Sequence, residues 1–284
     1  MSWRMGKLTP RRLLQMIFTY VAIFVFSVIA IFPVLRIFTI SLRPGDRLLS
    51  TSLRIIPEDA TLENYRVLFT ETPFLRWMLN SLLVSLAVTL TGVVFAATAG
   101  YALSRYRFKG RGPLMRGLLI TQMFPATMLL LPLYIMLIYL GLINSFLGLI
   151  IIYTATALPF TIWQMKGYYD TIPIALEEAA RIDGCTPWQA FYRVILPLAL
   201  PALVITALFS FMTAWNEYVV ANVILQEQEL FTLPLGLKTF QNSMTTQWGL
   251  YAAGSLIVSV PVVVLFVALS RYLISGLTLG SVKG

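Results

Sequence analysis

The sequence lacks most of the residues that carry out acid–base, metal or redox chemistry. It contains no histidine and a single cysteine, Cys185. Histidine general bases, histidine metal ligands and intrachain disulfides are therefore excluded. The phosphate-binding sequence Gly-x-x-x-x-Gly-Lys-Ser/Thr is also missing, which excludes the phosphate loop of that class of ATPase. We expect no catalytic residue, no metal site and no cofactor in this chain.

Charged residues are also scarce, at 12% of the 284 residues, whereas a soluble domain has about 25%. Long stretches contain no charge at all: 13–35, 77–104, 117–165, 194–216 and 239–270. A helix needs about 20 apolar residues to cross the roughly 30 Å hydrocarbon core of a membrane. Every stretch meets this length.

The stretch 117–165 is too long for one crossing and long enough for two, because it would extend roughly 73 Å as a single helix. The segment Gly141-Leu-Ile-Asn144-Ser145 divides it, since glycine and asparagine favour turns and serine favours a helix start. The sequence therefore predicts an all-α integral membrane protein with six transmembrane helices.

The first stretch follows basic residues, as the apolar region of a signal peptide does. Its 23 residues exceed the roughly 7–15 of a signal's apolar region, and they lead into Arg36 rather than into a small-residue cleavage site. We interpret it as a retained helix.

The distribution of lysine and arginine indicates the orientation. A net charge of +9 is also found in proteins that bind nucleic acids, but here the basic residues flank the spans and we expect no such partner. With both termini in the cytoplasm, fourteen basic residues lie inside and seven outside, as the positive-inside rule favours. This orientation gives a cytoplasmic tail at 1–12 and six spans within 13–270. It also gives an outer loop at 36–76, a cytoplasmic loop at 166–193 and a second cytoplasmic tail at 271–284.

Two local patterns concern packing. In the second span Gly92, Ala96 and Gly100 lie four residues apart, which allows close helix approach in lipid; we interpret them as an intramolecular packing face rather than a dimer seam. In the outer loop the apolar residues from Leu62 to Phe69 recur at helical spacing, which predicts a short surface helix.

The 166–193 loop contains a short helix with clear signals at both ends. Asp170 or Thr171 can cap its start, Pro173 suits its first turn, and Gly184 can end it in the left-handed conformation. A second helix opens at Thr186-Pro187-Trp188-Gln189, a capping box with proline at the first helical position.

The sequence Glu178-Ala179-Ala180-x-x-x-Gly184, followed after nine residues by Val194-Ile195-Leu196-Pro197, resembles the EAA loop of binding-protein-dependent ABC importers. The family usually has isoleucine where Val194 stands, which is a conservative departure. The resemblance implies the type I importer permease architecture (MetI-like). It also implies that the short helix is a coupling helix that docks in a groove of a separate ATPase subunit. The implied coupling residues are Glu178, Ala179, Ala180, Gly184, Leu196 and Pro197.

Other segments resemble the carbohydrate branch of the family, the second membrane subunit of maltose-type (MalG-like) systems: Thr61–Tyr65, Asn80-Ser81, Ala214–Tyr218, Leu233–Leu237 and Gly276–Gly284. This resemblance implies an importer of di- or oligosaccharides in the cytoplasmic membrane of a bacterium or archaeon. The implied partners are the lipid bilayer, a homologous membrane subunit, two ATPase subunits that bind the ATP, and a periplasmic or lipid-anchored sugar-binding protein. In maltose-type systems a tail such as Ser281, Val282, Lys283 and Gly284 reaches the ATPase interface.

Residues late in the fifth span are candidates for the translocation path or for contact with the binding protein. They are Thr213, Asn216 and Glu217, and helix packing is the alternative role for Thr213.

Two alternative functions stay open. The same architecture could import amino acids, phosphate or metals, or the chain could act alone as a secondary carrier or channel. The absence of any mid-span charge argues against a proton- or sodium-coupled carrier, because the ion sites of such carriers usually include an intramembrane carboxylate.

Overall fold

The computed structural model describes residues 10–45, 54–241 and 246–279, with the backbone alone described for Ala126 and residues 273–279. Within these ranges the chain forms helices and turns, and an isolated β-bridge joins Gln241 to Thr246. The α-helices of these ranges are α1 (Pro10–Ser41), α2 (Glu63–Thr70), α3 (Phe74–Arg105), α4 (Arg111–Thr121), α5 (Leu130–Tyr139), α6 (Phe146–Tyr169), α7 (Ala175–Ile182), α8 (Pro187–Ala190), α9 (Leu196–Leu198), α10 (Leu200–Trp215), α11 (Val219–Ile224), α12 (Leu233–Lys238) and α13 (Trp248–Leu279).

Four helices of the described chain, α1, α3, α6 and α13, are long and apolar enough to cross a membrane. A fifth crossing is formed by Pro187–Leu198 and Leu200–Trp215 if this pair, bent by 78°, counts as one span. The predicted third span is interrupted, because α4 ends at Thr121 and a 3-10 turn at Ala126–Leu129 precedes α5. Pro125 at this interruption has an extended backbone (ψ 128°). The described helices are consistent with six spans, and the count of six stays a prediction.

The chain divides into two compact units. Among the described residues, those up to 71 together with those from 240 to 256 form one, and those from 72 to 239 together with those from 257 onward form the other.

In the first unit, α2 is held against the end of α1 by hydrogen bonds. The Asn64 amide donates to the carbonyl oxygens of Ser41 (2.9 Å) and Arg43 (2.8 Å). The hydroxyls of Ser41 and Tyr65 are hydrogen-bonded to each other at 2.8 Å. The helix that the spacing from Leu62 to Phe69 predicts is therefore confirmed as α2.

In the second unit, α3, α6 and α10 pack together around a buried apolar core. The small residues of α3 lie where these helices meet: a Cβ added to Gly92 would lie 3.0 Å from Ser210 Oγ, and one added to Gly100 would lie 2.8 Å from Met165 Cβ. Ala96, between them, is fully buried. The prediction of an intramolecular packing face is confirmed.

The predicted turn between α5 and α6 is also confirmed. Gly141 and Asn144 both have positive φ values, 65° and 54°, which glycine and asparagine adopt more readily than other residues. Ser145 then caps α6, because its hydroxyl accepts a hydrogen bond from the Gly148 N–H at 3.1 Å.

Candidate functional site

The 166–193 loop forms α7 and the start of a second helix, as the sequence predicts. Gly184 has a φ of 89° just beyond the end of α7, the left-handed conformation that favours glycine. Thr186 and Gln189 form the predicted capping box: the Gln189 N–H donates to Thr186 Oγ1 (3.2 Å) and the Thr186 N–H donates to Gln189 Oε1 (2.8 Å). Pro187 takes the first helical position.

The start of α7 differs from the prediction. Its N-cap is Ile174, with no side-chain capping bond, so the prediction that Asp170 or Thr171 caps α7 is wrong. Both residues instead lie in the turn that ends α6. The Thr171 hydroxyl donates back to the Tyr168 carbonyl at 2.7 Å, which directs it away from the α7 amides.

Asp170 instead joins the ends of α3 and α6. Its carboxylate accepts a hydrogen bond from Ser104 Oγ at 2.7 Å and forms an ion pair with Lys166. Burial alone would raise the pKa of Asp170, but the hydrogen bonds from Lys166 and Ser104 outweigh it and hold this pKa below its usual value.

The inner face of α7 is fixed to α3 by Glu177. This carboxylate forms an ion pair with Arg105 and accepts a 2.8 Å hydrogen bond from the Tyr101 hydroxyl. Arg105 also donates to the Ile172 carbonyl at 2.9 Å. The side chains of Arg105 and Glu177 are only 8% and 12% exposed, so this is a largely buried pair. Sequence reasoning missed Glu177, because the family motif begins at the next residue.

The outer face of α7 presents a different set of residues. Ala175, Glu178, Ala179 and Ile182 are exposed, whereas Ala180 is buried on the inner side with Glu177. The exposed residues have the spacing i, i+3, i+4, i+7, which places them along one side of a helix. We call this stripe the outer face of α7. Ile182 is 86% exposed, so the rest of this chain leaves its apolar side chain uncovered.

The second helix carries the loop into α10. It runs from Pro187 to Leu198 through a π-helical turn at Phe191–Ile195, and it meets α10 at 78°. The Phe191 ring packs 4.4 Å from the Tyr101 ring, centroid to centroid, so this helix also contacts α3. Of the two coupling residues predicted here, Leu196 is half-buried and Pro197 is exposed.

The three path candidates do not form one cluster of exposed side chains. The Thr213 hydroxyl donates to the Phe209 carbonyl within α10 (2.9 Å), and Asn216 is exposed at the end of α10. Glu217 accepts hydrogen bonds from the Tyr153 hydroxyl (2.6 Å) and from the Val220 N–H (2.8 Å) at the start of α11. Glu217 thus has a structural role here, and a role for these residues in the path stays a prediction.

The tail residues Ser281, Val282, Lys283 and Gly284 lie outside the described residues, as does the predicted first tail up to residue 9. Within the described ranges, no group of three or more Cys, Asp or Glu side chains is placed so that it could hold a metal ion.

Comparisons with known proteins place the chain among transport proteins. Residues 92–278 match the family described as "Binding-protein-dependent transport system inner membrane component". The chain is 38% identical to the diacetylchitobiose uptake system permease protein DasC of Streptomyces coelicolor, over 87% of this chain and 90% of that protein. It is 37% identical to the galactooligosaccharides transport system permease protein GanQ of Bacillus subtilis, over 96% of this chain and 98% of that protein.

Solved structures share the fold. A bacterial ABC transporter involved in the import of the acidic polysaccharide alginate matches with a TM-score of 0.81 at 24% identity, covering 94% of this chain and 99% of that chain. The MetNI methionine ABC transporter matches with a TM-score of 0.57 at 21% identity, covering 70% and 93%. The architecture is that of an ABC importer permease, and the matched relatives are transport subunits rather than enzymes. The chain belongs to the family of binding-protein-dependent transport system inner membrane components.

Proposed function

We propose that the chain is a membrane-spanning subunit of an ATP-driven importer of di- or oligosaccharides. The names of its relatives support this proposal, because they describe permeases for diacetylchitobiose, galactooligosaccharides and maltodextrins that match along most of the chain. The same architecture with another solute is the alternative.

The outer face of α7 is the observation that carries the proposal. A helix that binds in a groove does so through residues at i, i+3, i+4 and i+7, which is the spacing of Ala175, Glu178, Ala179 and Ile182. The two alanines let the wall of a groove approach closely. Burying Ile182 in that groove contributes about 1.5–3 kcal/mol.

The groove belongs to a separate ATPase subunit, because this chain has no phosphate-binding loop of its own. We infer the complete assembly from the family: this chain, a homologous membrane subunit, two ATPase subunits and a sugar-binding protein. The 166–193 loop and both termini lie in the cytoplasm, as the excess of lysine and arginine on that side favours.

Closure of the ATPase subunits on ATP moves α7 in this mechanism. Its inner face transmits the movement to α3 through Glu177 and Arg105, and the helix Pro187–Leu198 transmits it to α10. The spans then change from inward-facing to outward-facing, and the binding protein releases the sugar into the opening. No side chain of this subunit needs to perform chemistry.

The variant Ile182→Asp tests the docking of α7. It places a charge on the outer face and removes the apolar contact, so the ATPase subunit should bind about ten- to a hundredfold more weakly. Co-purification from membranes and ATP-dependent uptake should fall together, while membrane insertion persists. Leu62→Asp, at another exposed apolar residue outside this loop (68% exposed, against 86% for Ile182), is the control and should retain the ATPase. Normal ATPase recovery with Ile182→Asp would refute the docking.

The solute is tested separately by uptake into vesicles that contain the whole assembly. Labelled oligosaccharides should enter only with ATP and the binding protein, and labelled amino acids should not enter. Uptake without ATP in vesicles that contain this chain alone would instead show a secondary carrier.

A further inference from the structure

A cavity of about 400 Å³ lies in the second unit, between α6 and the interrupted segment formed by α4 and α5. Its volume falls within the range of roughly 300–1,000 Å³ that is typical of small-molecule sites. Most of its lining is apolar, from leucine, isoleucine, methionine, alanine, proline and one phenylalanine, and three polar side chains complete it.

The interruption itself indicates what surrounds the cavity. Residues Gln122–Pro125 belong to no helix, although they lie within a charge-free stretch of membrane-spanning length. In hydrocarbon every unsatisfied backbone group costs several kcal/mol, so irregular backbone at membrane depth occurs only where it is buried in protein or lines a water-filled space. Phe124, which lines the cavity, is 55% exposed in this chain, so the chain itself does not bury the segment.

The opposite wall, on α6, offers backbone acceptors. Pro159 has no N–H, so it cannot make the helical hydrogen bond to the carbonyl of Ala155, and both residues line the cavity. The carbonyl of the next residue, Thr156, accepts a 3.3 Å hydrogen bond from the Gln122 side-chain amide. Gln122 thus spans the cavity from the interrupted segment to α6.

The chemistry of the lining selects for an uncharged guest. None of the described residues that line the cavity carries a charge, and an ion that left water here would lose its hydration without a partner. Amide, hydroxyl and carbonyl groups at Gln122, Thr121 and Ala155 can hydrogen-bond to hydroxyls, and the Phe124 ring offers an apolar surface.

We propose that this cavity is part of the solute path, a transient site for an uncharged, hydroxyl-rich solute, with Gln122 as a contact residue. The proposal rests on the function proposed above and adds that this subunit itself contacts the solute. Broken membrane helices that border a site at membrane depth are a recurrent feature of transporters.

Thiol labelling tests the proposal without knowledge of the particular sugar. Because Cys185 is the single cysteine, Cys185→Ser gives a cysteine-free background in which one position at a time is labelled. Gln122→Cys in the complete assembly is treated with three water-soluble methanethiosulfonates: one bearing glucose, one cationic and one anionic. Each rate is divided by the rate of that reagent with a small free thiol.

We expect Gln122→Cys to react at least tenfold faster than Leu90→Cys, an exposed position within α3 (68% exposed). The glucose-bearing reagent should react several-fold faster than either charged one. Thr121→Cys, on the same wall, gives the same test if Gln122→Cys fails to assemble. A rate no higher than that of Leu90→Cys would show that lipid or a partner helix fills the cavity, and equal rates for charged and neutral reagents would exclude the proposed selectivity.

The two proposals fail in distinguishable ways. If the unmodified assembly imports oligosaccharide with ATP while Gln122→Cys stays unreactive, the cavity proposal is overturned and the function stands. If the unmodified assembly shows no ATP-dependent uptake of oligosaccharide, the proposed function fails whatever the labelling shows.

Discussion

Removal of the Glu177 carboxylate should release α7 from α3. Loss of one partner from a buried ion pair costs about 3–5 kcal/mol, because the remaining charge is left uncompensated. Arg105 retains hydrogen bonds to the Ile172 carbonyl and to Ser104 Oγ, so we expect the lower end of this range for Glu177→Ala. A loss of about 3 kcal/mol raises the population of the undocked state roughly a hundredfold.

Hydrogen–deuterium exchange measures this population at the backbone amides of α7. For Glu177→Ala the protection of these amides should fall about a hundredfold, with normal membrane insertion. Glu177→Gln should have a smaller effect, because its amide oxygen still accepts hydrogen bonds. The double variant Arg105→Met/Glu177→Leu should recover part of the protection, since it leaves no charge unpaired.

The matched control is Glu229→Ala, which breaks the ion pair between Arg76 and Glu229 at 2.9 Å. The side chains of that pair are 55% and 69% exposed. Exposed pairs contribute about 0–1 kcal/mol, so the protection of the amides around Glu229 should change by no more than about fivefold. If the two single variants had equal effects on their own surroundings, the buried pair would not be what holds α7.

Two further predictions concern the same loop. Gly184→Ala should destabilise it by about 1–2 kcal/mol, because alanine at a φ of 89° carries the penalty of the left-handed conformation. Gly167→Ala in α6 is its control and should be neutral or stabilising. Neither added Cβ meets an atom within 4 Å. Amide exchange at residues 182–186 measures the first effect, and amide exchange around residue 167 measures the second. The second prediction concerns Asp170, whose pKa is lowered in the folded state. Its bonds to Lys166 and Ser104 therefore stabilise the fold fully at pH values above the unfolded pKa of about 3.9. This stabilisation is lost as the pH falls through the folded pKa. The difference in thermal midpoint between Asp170→Asn and the parent should therefore be constant from about pH 5 to 8 and shrink toward pH 3, and a difference that grew on acidification would contradict this sign.

Features that depend on a few neighbouring residues could be predicted from the sequence. Gly141, Asn144 and Gly184 adopt positive φ values where turns were predicted, and Thr186 with Gln189 forms the predicted capping box. Each of these outcomes is decided within about four residues, so local propensity is sufficient.

The placement of Glu177 on the inner face of α7 and of Glu178 on its outer face could not be predicted in this way. The two are adjacent glutamates on one short helix, and they differ only in the direction that each faces. That direction depends on the docking of α7 against Arg105 and Tyr101, which are more than 70 residues away along the chain. The interruption at Gln122–Pro125 could not be predicted from the sequence for a related reason. A charge-free stretch predicts a continuous helix, and Pro125 is the one residue of this segment that indicates a break.

The two faces of α7 together suit it to transmit force. A helix of eight residues is about 12 Å long, too short to be stable by itself, so its position depends on what its inner face contacts. Loss of the Glu177 carboxylate weakens the docking of α7 by about 3 kcal/mol by the reasoning above, roughly five times the thermal energy. We expect a displacement of the outer face to move α3 together with α7 as long as the contacts of Glu177 with Arg105 and Tyr101 hold. Weakening the inner contact should therefore leave the ATPase bound at Ile182 and reduce the solute imported per ATP hydrolysed, whereas Ile182→Asp reduces binding itself. If Glu177→Ala released the ATPase as fully as Ile182→Asp does, the inner and outer faces of α7 would not act separately, and the proposal that one docks while the other transmits movement would fail.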